Sequence, residues 1–345
     1  MNLIYICVFH NESYINLLEL LINSIYLKSN IDPTTTHILL ITSCNFQPII
    51  EKILEKFNLP IHYFILNLRS LFEAGCARLN IFKYEKIDNY DKILYLDTDI
   101  LLNNDINTLF NINILDNKIY ALEEGRISVG NYYGSKFFDF SKISPNLPAF
   151  TTGILFFKNS TIIKDLFKTV DLHIIDYIYK KRNGPPNCLD QPFIVYNAIT
   201  QKKYDNQLMK QFVENNPSIV SKEKIIYHFP GHPGSYNSKI AKMMAFWKKI
   251  DSTEFIPSIF SQESKNNDNS KIIEDKTFSW GNRSIRFLKN GQMNAFGKGN
   301  YKQIEPYTIQ ANFGNKQHIL KFNSDYTEFV STRIGDNIIE TGKRL

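Results

Sequence analysis

The chain has 345 residues, of which 43% are hydrophobic and 21% are charged, and its formal net charge at pH 7 is +6. This composition excludes a disordered protein, and the length predicts about two domains with substantial hydrophobic cores. The lysine and arginine residues are scattered and form no dense basic stripe, which argues against nucleic-acid binding and suits a small anionic ligand.

The four cysteines lie far apart and show no CxxC spacing; they are Cys7, Cys44, Cys76 and Cys188. Free thiols in a reducing compartment fit this usage better than a disulfide framework. The apolar N-terminal run lacks a basic leader and a small-residue cleavage site, and polar residues interrupt it from His10 onward. No uninterrupted apolar run approaches the roughly 20 residues needed to span a bilayer. We therefore expect a cytoplasmic protein without a signal peptide or a membrane span.

Strand patterns and helical patterns alternate along the first part of the chain. The predicted strands cover residues 3–9, 37–42, 62–66 and 92–96. The predicted helices cover residues 12–28, 48–57 and 71–86. Alternation of this kind favours an α/β fold with a mixed, mostly parallel sheet that is covered by helices on its faces.

Residues 123–148 form a long polar and aromatic stretch between a predicted strand at 119–122 and another at 150–158. Long irregular loops in compact domains commonly serve a function. The tyrosines and phenylalanines of this loop predict that it packs onto another part of the protein. A helix at 161–179, a helix that begins near Asp190 and a strand at 224–231 follow it.

Residues 261–276 are polar and unlike a core, which predicts a linker between two domains. The remaining residues, 277–345, show period-2 alternation and turn signals in place of helical patterns. We expect an α/β domain at residues 1–260 and a small all-β domain of unknown role at 277–345. Four of its aromatic side chains could form a sugar-binding face but fit a core better; they are Trp280, Tyr301, Tyr307 and Phe313.

The segment KILYLDTDILL, residues 92–102, places Asp97 and Asp99 at the end of an apolar strand pattern. Burying an isolated carboxylate costs several kcal/mol unless it is paired, hydrogen-bonded or bound to metal. Within a regular strand the two side chains would point to opposite faces, so the strand must end there if both are to share one cation. The pair therefore predicts a divalent metal site at the carboxyl-terminal edge of a parallel sheet.

His228 follows another apolar strand pattern and opens the segment HFPGHPGSY. Its imidazole would favour Mn²⁺ over Mg²⁺ if it joined the two carboxylates. Gly231 and Gly234 provide backbone that is suited to close approach by a phosphate group. The alternative for His228 is a hydrogen-bonded core histidine with no ligand role.

Four segments in order, ILYLDTDILL, TTGILFFKNS, LDQPFIVYNA and HFPG, resemble the successive motifs of the family 8 retaining glycosyltransferases, which include glycogenin and bacterial lipopolysaccharide galactosyltransferases. The resemblance spans residues 1 to about 250. It implies a Rossmann-like nucleotide-diphosphosugar transferase domain of the GT-A type, which binds a UDP-sugar and Mn²⁺, with Mg²⁺ as an alternative. Asp97 and Asp99 match the two aspartates of the DxD motif, and His228 matches the third protein ligand of the metal.

Further residues match donor-binding positions of the same family. Asn11 and Tyr14 match positions that hold the uracil and the ribose, and Phe9 is their neighbour. Arg78 matches a basic residue that contacts the diphosphate. The other residues assigned to donor binding are Thr98, Thr152, Gly153, Gly231, Gly234 and Lys239.

Asp190 and Gln191 match the pair near the sugar and the anomeric carbon, and they are the candidates for catalytic roles. Asp190 also stands where it would cap the helix that follows. Retention proceeds through either a double displacement or a front-face ion pair, and the sequence leaves both routes open.

Two segments depart from the family pattern. The chain has Thr151-Thr152-Gly153 where family members commonly have Asn-Ser-Gly or Asn-Thr-Gly, so a sugar contact from asparagine is absent or replaced. Gly234 stands where the pattern HFxGxxKPW places a diphosphate-binding lysine. Lys239 and His232 are the candidates to replace that lysine. Both departures affect the expected identity of the donor sugar.

We predict a metal-dependent retaining glycosyltransferase that moves a hexose, with glucose as first choice, from a UDP-sugar to a hydroxyl of a glycan, a protein or the chain itself. A haloacid-dehalogenase-type phosphotransferase also places a DxD after a hydrophobic strand, although Leu101 stands where that class has Thr or Val. A degenerate transferase that only binds carbohydrate is the third hypothesis. The sequence predicts no nucleic-acid partner and leaves homodimer formation open.

Overall fold

The computed structural model describes the chain except for residues 10, 69, 232–235, 253–254, 256, 259–272, 282, 296, 306, 314–315, 324–325 and 337. The chain divides into two compact units, Met1–Ile259 and Phe260–Leu345. Most of the linker that we expected at 261–276 lies outside the described residues. Among the helices that are described, none combines the length and the apolar character needed to cross a membrane.

The described residues of the first unit form ten strands and seven α-helices. The strands are β1 (Asn2–Val8), β2 (Thr36–Thr42), β3 (Ile61–Ile65), β4 (Lys92–Leu96), β5 (Ile100–Leu102), β6 (Ile119–Arg126), β7 (Pro148–Lys158), β8 (Tyr204–Asp205), β9 (Val213–Asn215) and β10 (Ile226–His228). The helices are α1 (Ser13–Lys28), α2 (Gln47–Leu54), α3 (Leu71–Gly75), α4 (Asn107–Phe110), α5 (Thr161–Ile174), α6 (Gln191–Thr200) and α7 (Tyr236–Ile250).

A seven-stranded sheet in the order β3-β2-β1-β4-β7-β6-β8 forms the centre of this unit. β1 pairs in parallel with β2 and β4, whereas β7 runs antiparallel to β4 and β6. Leu3 and Tyr5 of β1 enter one buried cluster, and Ile4 and Ile6 enter the cluster on the opposite face. Both faces are therefore covered, which explains the continuous apolar runs of the sequence and confirms the predicted mixed, mostly parallel sheet.

A second, three-stranded sheet in the order β5-β10-β9 lies beside the point where β4 ends. β5 and β10 are antiparallel, and His228 is the register partner of Ile100. The chain passes from the large sheet to the small one through residues 97–99, between β4 and β5. Because β4 ends at Leu96, the side chains that follow no longer alternate between the two sheet faces, and both aspartates lie next to the end of β10.

Two predicted helices were wrong in part. The helix expected at 71–86 ends at Gly75 and continues as a 3₁₀ helix, Ala77–Lys83. A Cβ on Gly75 would lie 2.3 Å from Cδ1 of Leu189, so that this segment is packed tightly against the chain near α6. The helix expected at 161–179 is α-helical only to Ile174 and then becomes a π-helix, Ile175–Lys180.

The second unit is an all-antiparallel β-structure, as predicted. Its strands are β11 (Thr277–Trp280), β12 (Arg283–Phe287), β13 (Gln292–Asn294), β14 (Lys298–Glu305), β15 (Thr308–Phe313), β16 (Lys316–Phe322), β17 (Glu328–Arg333) and β18 (Ile339–Lys343). They follow one another in sheet order, and hydrogen bonds between the two ends of the sheet, such as Leu345 N to Thr277 O at 2.9 Å, close it. Trp280 and Tyr301 are buried inside it and Phe313 packs against the same cluster, in agreement with the core interpretation. Tyr307 is 41% exposed, so the core interpretation was wrong for this residue. Closure pairs N–H and C=O groups that would otherwise stay unpaired at the two edge strands, which removes a route to aggregation.

Candidate functional site

A cavity of about 410 Å³ lies at the carboxyl-terminal ends of β1 and β4, where open α/β sheets bind their ligands. Most of the residues that the sequence assigned to the site line this cavity. They are Phe9, Tyr14, Arg78, Asp97, Thr98, Asp99, Thr152, Gly153, Asp190, Gln191, His228, Gly231 and Lys239.

One assigned residue that the structure describes, Asn11, is not found in this lining. The side chain of Asn11 accepts a hydrogen bond from the Ser13 amide at 2.8 Å and thus supports the start of α1. Gly234, together with the alternative phosphate-binding residue His232, lies outside the described residues.

Asp97, Asp99 and His228 converge on one point of the cavity, where one ligand atom from each lies within 4.8 Å of the others. Nε2 of His228 is 3.5 Å from Oδ1 of Asp99. Main-chain hydrogen bonds hold both aspartates: the Asp97 amide donates to Gly153 O at 2.8 Å, and the Phe229 amide donates to Asp99 O at 2.9 Å. The backbone of two different sheets thus fixes the three side chains.

Asn215 and Glu124 orient the imidazole of His228. Oδ1 of Asn215 is 2.8 Å from Nδ1 of His228, and Nδ2 of Asn215 donates to Glu124 Oε1 at 3.0 Å. Because the amide oxygen of Asn215 only accepts hydrogen bonds, Nδ1 carries the proton and Nε2 faces the aspartates. Asn215 was not predicted from the sequence, because it lies in the polar run ENNPS without a strand or glycine signal beside it.

The charges of this group depend on one another. Burial alone would lower the pKa of His228, but the neighbouring Asp99 and Asp97 raise it above its ordinary value. Burial alone would raise the pKa of Asp99, but His228 and Lys239 hold it well below its usual range. The aspartate therefore stays ionised in a nearly solvent-free position.

The donor set fits a divalent metal ion. It combines two carboxylates with an imidazole, which suits ions of the Mn²⁺ type. Oδ1 of Asp99 is buried and has no hydrogen-bond partner within the described part of the chain. Gly153 keeps space open beside the group, because a Cβ there would lie 2.8 Å from His228 Nε2 and 3.0 Å from Asp97 Oδ2.

Arg78 and Asp190 form a buried ion pair beside this group. Nε of Arg78 is 2.9 Å from Oδ2 of Asp190, and the guanidinium also donates to Thr152 O and lies over the ring of Tyr95. Nη1 of Arg78 is 3.6 Å from Oδ1 of Asp97. The pair thus links the aspartate of α6 to the DxD segment.

Asp190 is the N-cap residue of α6, as predicted, but its side chain makes no capping hydrogen bond. Its carboxylate is buried instead, and burial raises its pKa to about 6 although Arg78 pulls it down. The preceding residue, Leu189, has a φ of +52°, a strained value for a residue with a side chain. Backbone strain next to a buried carboxylate is typical of functional sites.

Gln191 is held at both ends of its side chain. Its Oε1 accepts hydrogen bonds from the amide and the hydroxyl of Thr152, at 3.0 and 3.3 Å. Its Nε2 donates to Tyr132 O at 3.2 Å. Tyr132 belongs to the long loop at 123–148, which forms a wall of the cavity, in line with the expectation that it packs onto another part of the protein.

Thr151 occupies one departure from the family pattern, and Lys239 is a candidate to replace the lysine that is missing at the other, Gly234. Oγ1 of Thr151 accepts a hydrogen bond from the Gly153 amide at 3.2 Å, so it supports the local backbone of β7, and Thr151 is itself buried. Nζ of Lys239, in the first turns of α7, is 2.5 Å from Oδ2 of Asp99. Lys239 therefore places a positive charge against Asp99, one of the three candidate metal ligands.

Comparisons with known proteins agree with this geometry. A family model described as "Glycosyl transferase family 8" matches residues 3–231. The structure of galactosyltransferase LgtC in complex with donor and acceptor sugar analogues shares 15% identity and a TM-score of 0.51, over 76% of this chain and 100% of that chain. Mouse xyloside xylosyltransferase 1 in its apo form shares 11% identity and a TM-score of 0.45, over 66% of this chain and 98% of its own. The likeness to LgtC shows the fold alone, and no curated protein matches the chain.

Proposed function

Because the chain belongs to glycosyl transferase family 8, we propose that it transfers a hexose from a UDP-sugar to a hydroxyl group with retention of the anomeric configuration. Glucose is the first choice of sugar, and the acceptor is a glycan, a protein or the chain itself. The observation that carries the proposal is the convergence of Asp97, Asp99 and His228 in the same cavity as the Arg78–Asp190 pair.

Asp97, Asp99 and His228 would hold the metal ion, with Mn²⁺ preferred to Mg²⁺ because an imidazole is present. When bound, the ion would act as a Lewis acid that offsets the negative charge of the departing diphosphate. Arg78 supports the same task from the other side, since its guanidinium lies 3.6 Å from Asp97 and remains charged at any physiological pH.

Asp190 and Gln191 are proposed to orient the sugar. Oδ1 of Asp190 is buried and has no hydrogen-bond partner in the described residues, and Asp190 lines the cavity, which supports a hydrogen bond from a sugar hydroxyl to this oxygen. The carboxamide of Gln191 is fixed by Thr152 and Tyr132, which gives it a defined position at the cavity wall. A preorganised polar group of this kind stabilises developing charge at a reacting centre without a cost of reorganisation.

Incubation of the purified protein with Mn²⁺ and each of several UDP-sugars, followed by intact-mass analysis and assay of released UDP, tests this proposal. We expect release of UDP with one preferred donor, and a mass increase in steps of one hexose if the chain is its own acceptor. A protein that binds UDP but releases none from any donor would support the degenerate, carbohydrate-binding alternative.

Thermal shift separates the proposal from the phosphotransferase alternative. UDP with Mn²⁺ is expected to raise the melting temperature, because a ligand that binds only the folded state stabilises it. Phosphate analogues with Mg²⁺ are expected to have no effect of this kind. The reverse pattern would favour the phosphotransferase.

A further inference from the structure

Lys239 contacts a carboxylate that the proposed metal site requires. Its Nζ lies 2.5 Å from Oδ2 of Asp99, and the side chains of the two residues are only 12% and 7% exposed. The other oxygen of the same carboxylate, Oδ1, faces Nε2 of His228 at 3.5 Å. One oxygen of Asp99 thus contacts the ammonium group of Lys239, and the other faces the point where the candidate metal ligands converge.

Lys239 is a counter-ion of Asp99, beside His228, whereas Arg78 serves other carboxylates. Arg78 lies 2.9 Å from Asp190 and 3.6 Å from Asp97, so its charge serves those two carboxylates. Within the described residues, Asp99 has one salt bridge to a lysine, and that lysine is Lys239. A divalent ion bound to Asp99 would lie close to this ammonium group, and two positive charges in a nearly solvent-free position repel strongly.

We propose that Lys239 couples the binding of metal to the binding of the diphosphate: it weakens the binding of metal alone and strengthens the binding of metal together with a nucleoside diphosphate. This inference rests on the proposed function and concerns the same site. Lys239 lines the cavity together with Gly231 and His228, so an anion in the cavity would offer its ammonium group a second partner. The negative charge of the diphosphate would at the same time offset the repulsion between the lysine and the metal ion.

Such an arrangement makes the two ligands interdependent. If the diphosphate increases the affinity for the metal by some factor, the metal must increase the affinity for the diphosphate by the same factor. Lys239 thereby takes the place of the lysine that the family pattern puts at Gly234, but with an additional contact to the DxD motif. The free protein would carry little metal until a donor is present.

Binding measurements on the free protein test the coupling without any activity assay. We would determine the dissociation constant of Mn²⁺ with and without UDP, and that of UDP with and without Mn²⁺, by titration calorimetry. For the natural protein we expect Mn²⁺ to bind about tenfold or more tightly when UDP is present. In Lys239→Met we expect Mn²⁺ alone to bind about tenfold more tightly, UDP with Mn²⁺ to bind more weakly, and the coupling factor to approach one.

Two control variants separate charge from folding. Lys239→Arg keeps the positive charge and should retain most of the coupling. Lys242→Met removes an exposed lysine of the same helix and should leave all four constants unchanged. Circular dichroism of each variant verifies that it is folded.

Two results would overturn the inference, and they differ in scope. Equal or weaker binding of Mn²⁺ alone to Lys239→Met would show that Lys239 only positions Asp99, and the proposed function would stand. Failure of the natural protein to bind Mn²⁺ even with UDP present would contradict the proposed function and, with it, this inference.

Discussion

Gly153 illustrates how a missing side chain shapes the site. It follows two buried threonines in β7, where that strand passes the end of β4, and the Asp97 amide donates to its carbonyl. Any side chain at this position would enter the space between His228 and Asp97. The glycine is therefore required by the close approach of two proposed metal ligands.

Substitution Gly153→Ala should lower the affinity for Mn²⁺ in the presence of UDP by at least about tenfold, because the new methyl group displaces a ligand. Gly184→Ala is the matched control, since a Cβ on Gly184 would meet no atom within 4 Å. Titration calorimetry on both variants measures the effect. An unchanged affinity in Gly153→Ala would mean that His228 or Asp97 is not a ligand.

The raised pKa of Asp190 predicts that the stability of the protein depends on pH. Its pKa is about 6 in the folded protein against 3.8 for an ordinary aspartate, so the folded state binds more protons than the unfolded state between these values. The free energy of unfolding therefore falls as the pH rises from about 4 to about 6, by up to about 3 kcal/mol from this residue alone.

Urea unfolding of the natural protein and of Asp190→Asn between pH 4 and pH 7 checks this sign. The natural protein should lose stability relative to the variant as the pH rises through this window. Asp116→Asn, at an exposed position, should follow the natural protein. Parallel curves for the natural protein and Asp190→Asn would contradict the prediction.

The sequence was sufficient to predict that residues of the recognised motifs lie together, and it failed for residues whose placement depends on tertiary contacts. Asp97, Asp99 and His228 each lie at or just beyond the end of an apolar strand pattern, so their meeting was predictable, although two sheets contribute to it. Asn215 has no such pattern beside it, and its role in the site follows from its hydrogen bond to His228. The burial of the Asp190 side chain against Arg78, in place of a capping hydrogen bond, likewise depends on two segments far apart in sequence.

Among the secondary-structure elements, α3 ends where it meets the segment that precedes α6. Gly75 ends α3 where Leu189 packs against its Cα, and Leu189 itself has a left-handed backbone. The apolar periodicity of 71–86 continues past Gly75, which is why the sequence predicted one helix there. The contact that ends it comes from a residue more than a hundred positions later in the chain.

Gly75→Ala should destabilise the protein by about 1–3 kcal/mol, because its methyl group would lie 2.3 Å from Leu189 Cδ1. Shortening the opposing side chain in the double variant Gly75→Ala/Leu189→Ala should recover part of that loss relative to Leu189→Ala alone. Urea unfolding of the four proteins forms a double-mutant cycle. Additive effects would show that the two residues do not touch.

Across the full chain, every described residue of the proposed site belongs to the unit Met1–Ile259. The C-terminal part of that unit is anchored by Glu19, a buried residue of α1 whose carboxylate accepts hydrogen bonds from the amide and hydroxyl of Ser258, both at 2.6 Å, and from Lys56.

The period-2 pattern predicted the β-structure of the second unit, but its closure through β11 and β18 depends on strand twist and register, which the pattern does not encode.

A chain that ends at residue 259 should bind UDP and Mn²⁺ within about twofold of the full-length protein, since it keeps a complete domain. A chain that ends at residue 252 should be less stable by about 1–3 kcal/mol, because the buried carboxylate of Glu19 loses two hydrogen bonds to Ser258. Calorimetry and urea unfolding measure the two effects. Loss of nucleotide binding in the chain that ends at residue 259 would assign the second unit a part in the site.

The proposed metal-dependent transfer of a sugar from UDP would depend above all on Asp99. Release of UDP by the natural protein and by Asp99→Asn, measured with the preferred donor at several concentrations of Mn²⁺, is therefore the decisive experiment. We predict turnover that depends on Mn²⁺ in the natural protein and a loss of at least about a hundredfold in a folded Asp99→Asn variant. Turnover by Asp99→Asn at the rate of the natural protein would contradict the assignment of Asp99 to a metal-dependent transfer site.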